Sequence, residues 1–205
     1  FIMPGLVELH TDHLEAHVEP RPKVQWDARA AVLAYDAQIV ASGITSVFDS
    51  LRVGSLTTRD NVSKALHGLG AAIDELRGAG LLRAEHLTHL RCEIATPDVV
   101  DEARSHMATR PVQLVSLMDH TPGQRQFRDM EKMKTYYQRH GLTNDSDFAA
   151  FVDERIELHA QYAQAHRRAL VDLAHEHGAS LASHDDATLE QVKEAVADRV
   201  SIAEF

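Results

Sequence analysis

A single cysteine, Cys92, stands among the 205 residues, which excludes an intramolecular disulfide framework and any metal cage built from two or more thiolates. Basic side chains are the scarcer charge: 21 Lys and Arg face 31 Asp and Glu, a formal net charge of −10. That deficit argues against a general nucleic-acid or anionic-membrane surface and leaves only local basic patches. Long apolar runs are missing as well. None approaches the ~20 residues of a membrane span, and no signal-peptide pattern opens the chain, so a soluble, cytoplasmic protein is expected. There is no G-x-S-x-G elbow, P-loop or G-x-G-x-x-G, and Cys92 sits in an apolar run that suits a buried inert thiol. Serine, cysteine and nucleotide-loop chemistry are therefore disfavoured. No repeat of fixed period is visible, and the length fits a single domain of ~50–250 residues. The chain opens in an apolar segment at Phe1 and closes on "VSIAEF", so both ends read as cut from something longer.

What the sequence does have is alternation. Short aliphatic or β-branched runs at 6–10, 44–49, 89–94, 112–118, 180–184 and 200–205 are separated by stretches of helical period at 27–42, 58–78, 97–109, 126–139, 145–177 and 188–197. This order predicts βα units feeding a parallel sheet. Thr143 is placed to cap the long helix ahead of Asp145, and Gly178 to end it. The segment 121–139 carries Arg125, Arg128, Lys132, Lys134 and Arg139 against Asp129 and Glu131, a local excess of positive charge in an acidic chain.

Each candidate strand ends in polar residues, where a strand continuing into packed core would stay apolar. The first ends in His10 and Asp12, the second in Asp49, the third in Glu93, the fourth in Asp119 and His120, and the fifth in His184, Asp185 and Asp186. In a βα barrel the carboxyl ends of successive strands converge on one mouth. Imidazole and carboxylate are the groups that hold zinc and similar divalent ions at ~2.0–2.2 Å. Residues i and i+2 of a strand share a face, so His10 and Asp12 can grip one ion. His13 and His17 are expected in the following loop as solvent-exposed or structural residues, and His159, His166, His175 and His177 on solvated or packed helix faces.

The residues also carry a resemblance. "MPGLVELHTD" resembles the first barrel strand of the amidohydrolase superfamily, whose usual H-x-H has its second histidine replaced here by Asp12. With "SGITSVFDS", "RAEHLTHLRCE", "VSLMDHTPGQRQF", "LASHDDAT" and "IAEF" in order along the chain, the sequence is similar to the phosphonate-metabolism branch of that superfamily. The resemblance implies a (β/α)8 TIM barrel of which about six βα units are present, so that 1–205 is a partial metal-dependent hydrolase barrel domain. It implies hydrolysis of a ribose methylphosphonate triphosphate to the 5-phosphate and diphosphate. The implied cofactor is a divalent metal, zinc first with manganese or iron as alternatives, held by His10, Asp12, Glu93 and His184. Asp119, His120 and Asp185 fall at motif positions as catalytic residues. The superfamily's general-base aspartate follows an eighth strand beyond Phe205.

Polyphosphate needs cations, and Arg21 and Lys23 after the first strand, with Arg125 and Arg128 after the fourth, would supply them at the rim. The implied partner is a phosphorylated sugar phosphonate, with neither nucleic acid nor membrane, and a homo-oligomer is compatible. Two other readings stay open: an amidohydrolase acting on an amide or cyclic amide, which gives no reason for cationic rim loops, and a non-catalytic barrel fragment with a degenerate site.

Overall fold

A computed structural model describes residues 1–21, 24–55, 62–139 and 144–204. Six strands alternate with helices. They are β1 (Leu6–Thr11), β2 (Ile44–Val53), β3 (Glu85–Glu93), β4 (Leu114–Met118), β5 (Ser180–His184) and β6 (Ile202–Glu204). The short helix α1 (His13–Val18) follows β1, and α2 (Ala28–Ala41), α3 (Val62–Gly78), α4 (Val99–Met107), α5 (Met130–Arg139), α6 (Asp145–Glu176) and α7 (Leu189–Ala197) complete the crossovers. The strands form one sheet in chain order, every neighbouring pair parallel. All five residues of β4, Leu-Val-Ser-Leu-Met, are buried, as expected of a parallel strand covered on both faces. The sheet curls until side chains of its first and last strands meet: His10 Nδ1 of β1 lies 2.9 Å from Glu204 Oε2 of β6. The architecture is a nearly closed, partial TIM barrel, as the sequence pattern predicts.

Local chemistry fixes the helix ends. Asp27 accepts from the backbone N–H groups of Arg29 and Ala30 at the start of α2, and Thr188 with Gln191 forms a capping box at α7. Asn144 caps α6 by accepting from Asp147 N at 2.7 Å; Thr143, the expected cap, lies outside the described residues. Gly178, at φ +69°, ends that helix. Gly54 closes β2 at φ +99°, where a Cβ would come within 2.3 Å of Thr96 Oγ1.

The main core lies between the outer face of the sheet and its helices. Leu51 and Val53 of β2 and Leu90 and Cys92 of β3 pack against Tyr35, Leu66, Leu69 and Leu170 of α2, α3 and α6. Cys92 is buried, and burial pushes its thiol far up from its ordinary value. A second, smaller core joins Phe127, Met133 and Phe148, with Tyr137, Phe151 and Val152 packed on it.

Several boundaries differ from the sequence reading. β2 runs four residues past Asp49, so Asp49 is internal to its strand rather than at the mouth. The stretch expected as one helix at 126–139 is a 3-10 turn at Arg125–Phe127 followed by α5. His13 and His17 lie on α1 rather than in a loop, with His17 Nδ1 2.8 Å from the carbonyl of His13. Among the described residues no helix is long and apolar enough to cross a membrane.

Candidate metal centre

Alternation along the strands sorts side chains between two faces. Because Leu51, Val53, Leu90 and Cys92 point to the helices, Ser50, Arg52, His89, Arg91 and Glu93 point the other way. That inner face lines a cavity of about 700 Å³ reached from the carboxyl ends of the strands. Glu8, His10, Asp12, Glu15, Arg52, Arg91, Glu93, His120, His184 and Asp185 all border it.

Among the described residues two sets of side chains could hold a metal ion: His10, His184 and Glu204, and His120, His184 and Asp185, the ligand atoms of each set lying within 4.8 Å of one another. In the first set, His10 and His184 stack with ring centroids 5.3 Å apart, and both imidazoles face the Glu204 carboxylate, His184 Nδ1 at 3.4 Å from Oε2. Burial raises the pKa of Glu204, but the hydrogen bonds from His10 and His184 outweigh it and bring the carboxyl down to about 2. Its other oxygen, Oε1, is buried without a hydrogen bond, with His89 Nε2 3.6 Å away. Two imidazoles, an ionised carboxylate and an unsatisfied carboxylate oxygen are a donor set that fits a divalent ion. In the second set His184 Nε2 lies 3.2 Å from Asp185 Oδ2. Asp185 adopts φ +54°, the left-handed region uncommon outside glycine, at the point where β5 leaves the sheet.

Beneath these residues His89 joins four strands. Its Nδ1 is 3.1 Å from the carbonyl of Leu9 and 3.0 Å from Ser50 Oγ, and its Nε2 is 2.8 Å from Ser116 Oγ. A carbonyl only accepts, so Nδ1 carries the proton and Nε2 accepts from the Ser116 hydroxyl. Burial, with His10 and Arg91 nearby, pushes the imidazole down to about 3, so it is neutral.

The expected site residues divide. His10 and His184 meet as expected. Asp12 is in neither set: its carboxylate is 3.3 Å from Arg91 Nη1 and half exposed, because the chain turns into α1 directly after β1. Glu93 grips His120, whose backbone N–H donates to Oε1 at 3.0 Å while Nδ1 meets Oε2. Burial opposes protonation of His120, and Glu93 overcomes it, raising the imidazole above its ordinary value. Asp119 is not among the cavity-lining residues; it pairs with His159 Nδ1 of α6 at 3.1 Å. That contact lowers Asp119 despite its burial and raises His159, so His159 is a partner of the strand end rather than a simple helix-face residue.

The rim cations also differ from expectation. Arg125 is buried, donates to the carbonyl of His184 at 2.7 Å and pairs with Asp186, so it ties the β4 loop to the end of β5 instead of standing open for phosphate. Arg128 is exposed and donates to the carbonyl of Ala187 at 3.3 Å. Arg21 is exposed beside an isolated bridge to Val24 and away from the cavity lining. Lys23 lies outside the described residues. Asp49 sits on the outer face, 2.9 Å from His86 Nδ1.

The sequence reading does not single out Glu204 of the first candidate metal set or the cavity-lining Arg52 and Arg91. The signals were present. Glu204 closes the sixth strand just as Glu93 closes the third, and "LRVG" and "LRCE" repeat a Leu-Arg pair near the ends of β2 and β3.

Parallel strands with helices outside, and imidazoles and carboxylates gathered at one end of the sheet, define an α/β-barrel protein with a candidate metal centre. No protein-family model matches the chain. Over all 205 of its residues it is 40% identical to the α-D-ribose 1-methylphosphonate 5-triphosphate diphosphatase of Escherichia coli (strain K12), and it spans 54% of that protein. The motif resemblance and the whole-chain identity thus point to the same relative.

Proposed function

We propose that the chain is the barrel portion of a metal-dependent diphosphatase that hydrolyses α-D-ribose 1-methylphosphonate 5-triphosphate to the 5-phosphate and diphosphate. The observation that carries this reading is the His10–His184–Glu204 cluster at the cavity, in a chain 40% identical throughout to a relative bearing that activity in its name. Water attacks the phosphorus nearest the ribose, the anhydride P–O bond beyond it breaks, and diphosphate leaves. His10, His184 and Glu204 would hold the ion. His120 and Asp185, sharing His184 with it, form the second candidate set. Zinc suits two imidazoles and a carboxylate, with manganese or iron as alternatives. The chemistry such an ion supplies when bound is Lewis acidity toward water and a phosphoryl oxygen.

The chain's own residues have distinct tasks in this reading. His120, steadied by Glu93, and Asp185 exchange protons with water and product at the mouth. Asp119 acts at one remove, through His159. Arg125 positions His184 by holding its carbonyl, and Arg128 remains an exposed cation for the ligand's outer phosphate. The reading takes 1–205 as one barrel domain of a cytoplasmic enzyme whose partner is the sugar phosphonate.

The test is phosphorus NMR of the triphosphate incubated with metal-replete protein. Equimolar diphosphate and ribose 1-methylphosphonate 5-phosphate, abolished by a chelator and restored by zinc, is the expected result. Intact triphosphate after incubation with protein of verified metal content overturns the proposal.

A further inference from the structure

We propose that Arg52 and Arg91 form an oxyanion subsite in the cavity wall, built to take a phosphoryl or phosphonate group of the ligand. This deepens the reading above and rests on it only for the identity of the ligand. The two arginines are direct neighbours in the β2–β3 register, on strands ~4.8 Å apart, and both line the cavity. Their flanking residues Leu51, Val53, Leu90 and Cys92 are buried on the opposite face, so strand alternation holds both guanidinium groups inward.

Like charges side by side on adjacent strands repel, and direct ion pairing of the two is sparse. Arg91 Nη1 reaches Asp12 at 3.3 Å, but that carboxylate is 55% exposed, which makes the pair a weak one. Arg91 Nε is buried with no hydrogen-bond partner. Arg52 has no ion pair within 4 Å among the described residues. Glu15 also borders the cavity near the pair, and burial raises its pKa against the pull of Arg52 and Arg91.

A tetrahedral oxyanion answers this arrangement. Its three oxygens can accept from two forked guanidinium groups at once, with a geometry ammonium groups do not match. The subsite is also rigid: Arg52 and Arg91 sit on strands, and Ser55 N beyond the end of β2 donates to Asp98 at 3.0 Å. Glu93, two residues beyond Arg91 on the same face, holds His120 of the second candidate metal set. Subsite and metal centre therefore share one wall, and one polyanion can reach both. A neutral amide would give the two arginines no anionic ligand.

The experiment is calorimetric titration of the metal-free protein with inorganic pyrophosphate and, separately, with methylphosphonate, comparing wild type with Arg52→Gln, Arg91→Gln and the two Arg→Lys variants. Each Gln substitution is expected to weaken binding about ten- to a hundredfold, and each Lys to recover part of the loss while circular dichroism stays unchanged. Loss confined to pyrophosphate assigns the pair to the triphosphate, and loss confined to methylphosphonate assigns it to the phosphonate end. Affinities within about twofold of wild type for both probes in the folded Gln variants, or no binding of either probe by wild type, overturn the subsite. Because this readout needs neither metal nor turnover, arginine-dependent binding alongside failed diphosphate release would sink the diphosphatase reading alone.

Discussion

His10 and Glu204 stand on the first and last strands of the sheet, almost the full length of the chain apart, and their side chains meet at 2.9 Å. Among the described residues no backbone ladder joins β1 to β6; polar side chains span this gap, and the candidate metal centre coincides with it.

From that geometry Glu204→Gln is expected to lower affinity for a divalent ion by at least tenfold, since it removes the ionised member of the His10–His184–Glu204 set. Elemental analysis after dialysis, with circular dichroism as the check on folding, reads the effect. Full metal occupancy in the Gln variant would remove Glu204 from the ligand set.

The positions of Asp12 and His184 predict unequal losses. His184 belongs to both candidate sets and Asp12 to neither, so His184→Ala should strip most of the metal while Asp12→Ala retains it within about threefold. Equal losses in the two variants would restore the H-x-D pairing that the sequence alone suggests.

His86 lies buried between two carboxylates, Asp49 at 2.9 Å and Asp36 at 3.3 Å. Burial opposes its protonation, but the two acids prevail and raise its pKa. A raised folded value means that this contribution to stability is complete below the unfolded value of about 6.5 and is lost as pH climbs through the folded one. His86→Gln should therefore cost most, about 3 kcal/mol, at acid pH. Denaturant titrations from about pH 5.5 to 9 should show the gap to wild type narrowing. A gap that stays constant would mean the imidazole never holds the second proton.

Arg125 combines a buried guanidinium with φ +38°. Arg125→Ala leaves Asp186 and the carbonyl of His184 without their donor and should cost about 3 kcal/mol. Arg125→Gly loses the same contacts but relieves the backbone, so it should be the milder variant by about 1 kcal/mol. Chemical denaturation of the pair decides the order, and a more stable Ala variant would show that the backbone there is not strained.

The strands were legible because each is a short apolar run with a polar end: 180–184 is β5 to the residue, and the parallel order follows from the helices between. What misled was the assumption that a polar residue marks a strand's end. Asp49 sits in mid-strand because His86 supplies a buried partner for it, a tertiary contact that local pattern does not carry. His10 and His184 emerge from the same rule because both stand within a residue of a strand's end and face Glu204. Asp12 departs because the first turn of α1 redirects it toward Arg91, and the i, i+2 rule holds only while the strand continues. Arg125 reads as a surface cation from composition alone, since its buried partner Asp186 is 61 residues away.

The 32 residues of α6 give a rod of about 48 Å, against about 17 Å for the five residues of β5 it packs beside. Its amino-terminal overhang carries Phe148 into the cluster with Phe127 and Met133, apart from the main core. Phe127 and Tyr137 of that cluster also line the cavity. A unit held by so few buried side chains can open at a fraction of the free energy of global unfolding. Amide hydrogen exchange in α5 and the first turns of α6 is therefore expected to outpace that of β3 and β4, with the barrel intact throughout.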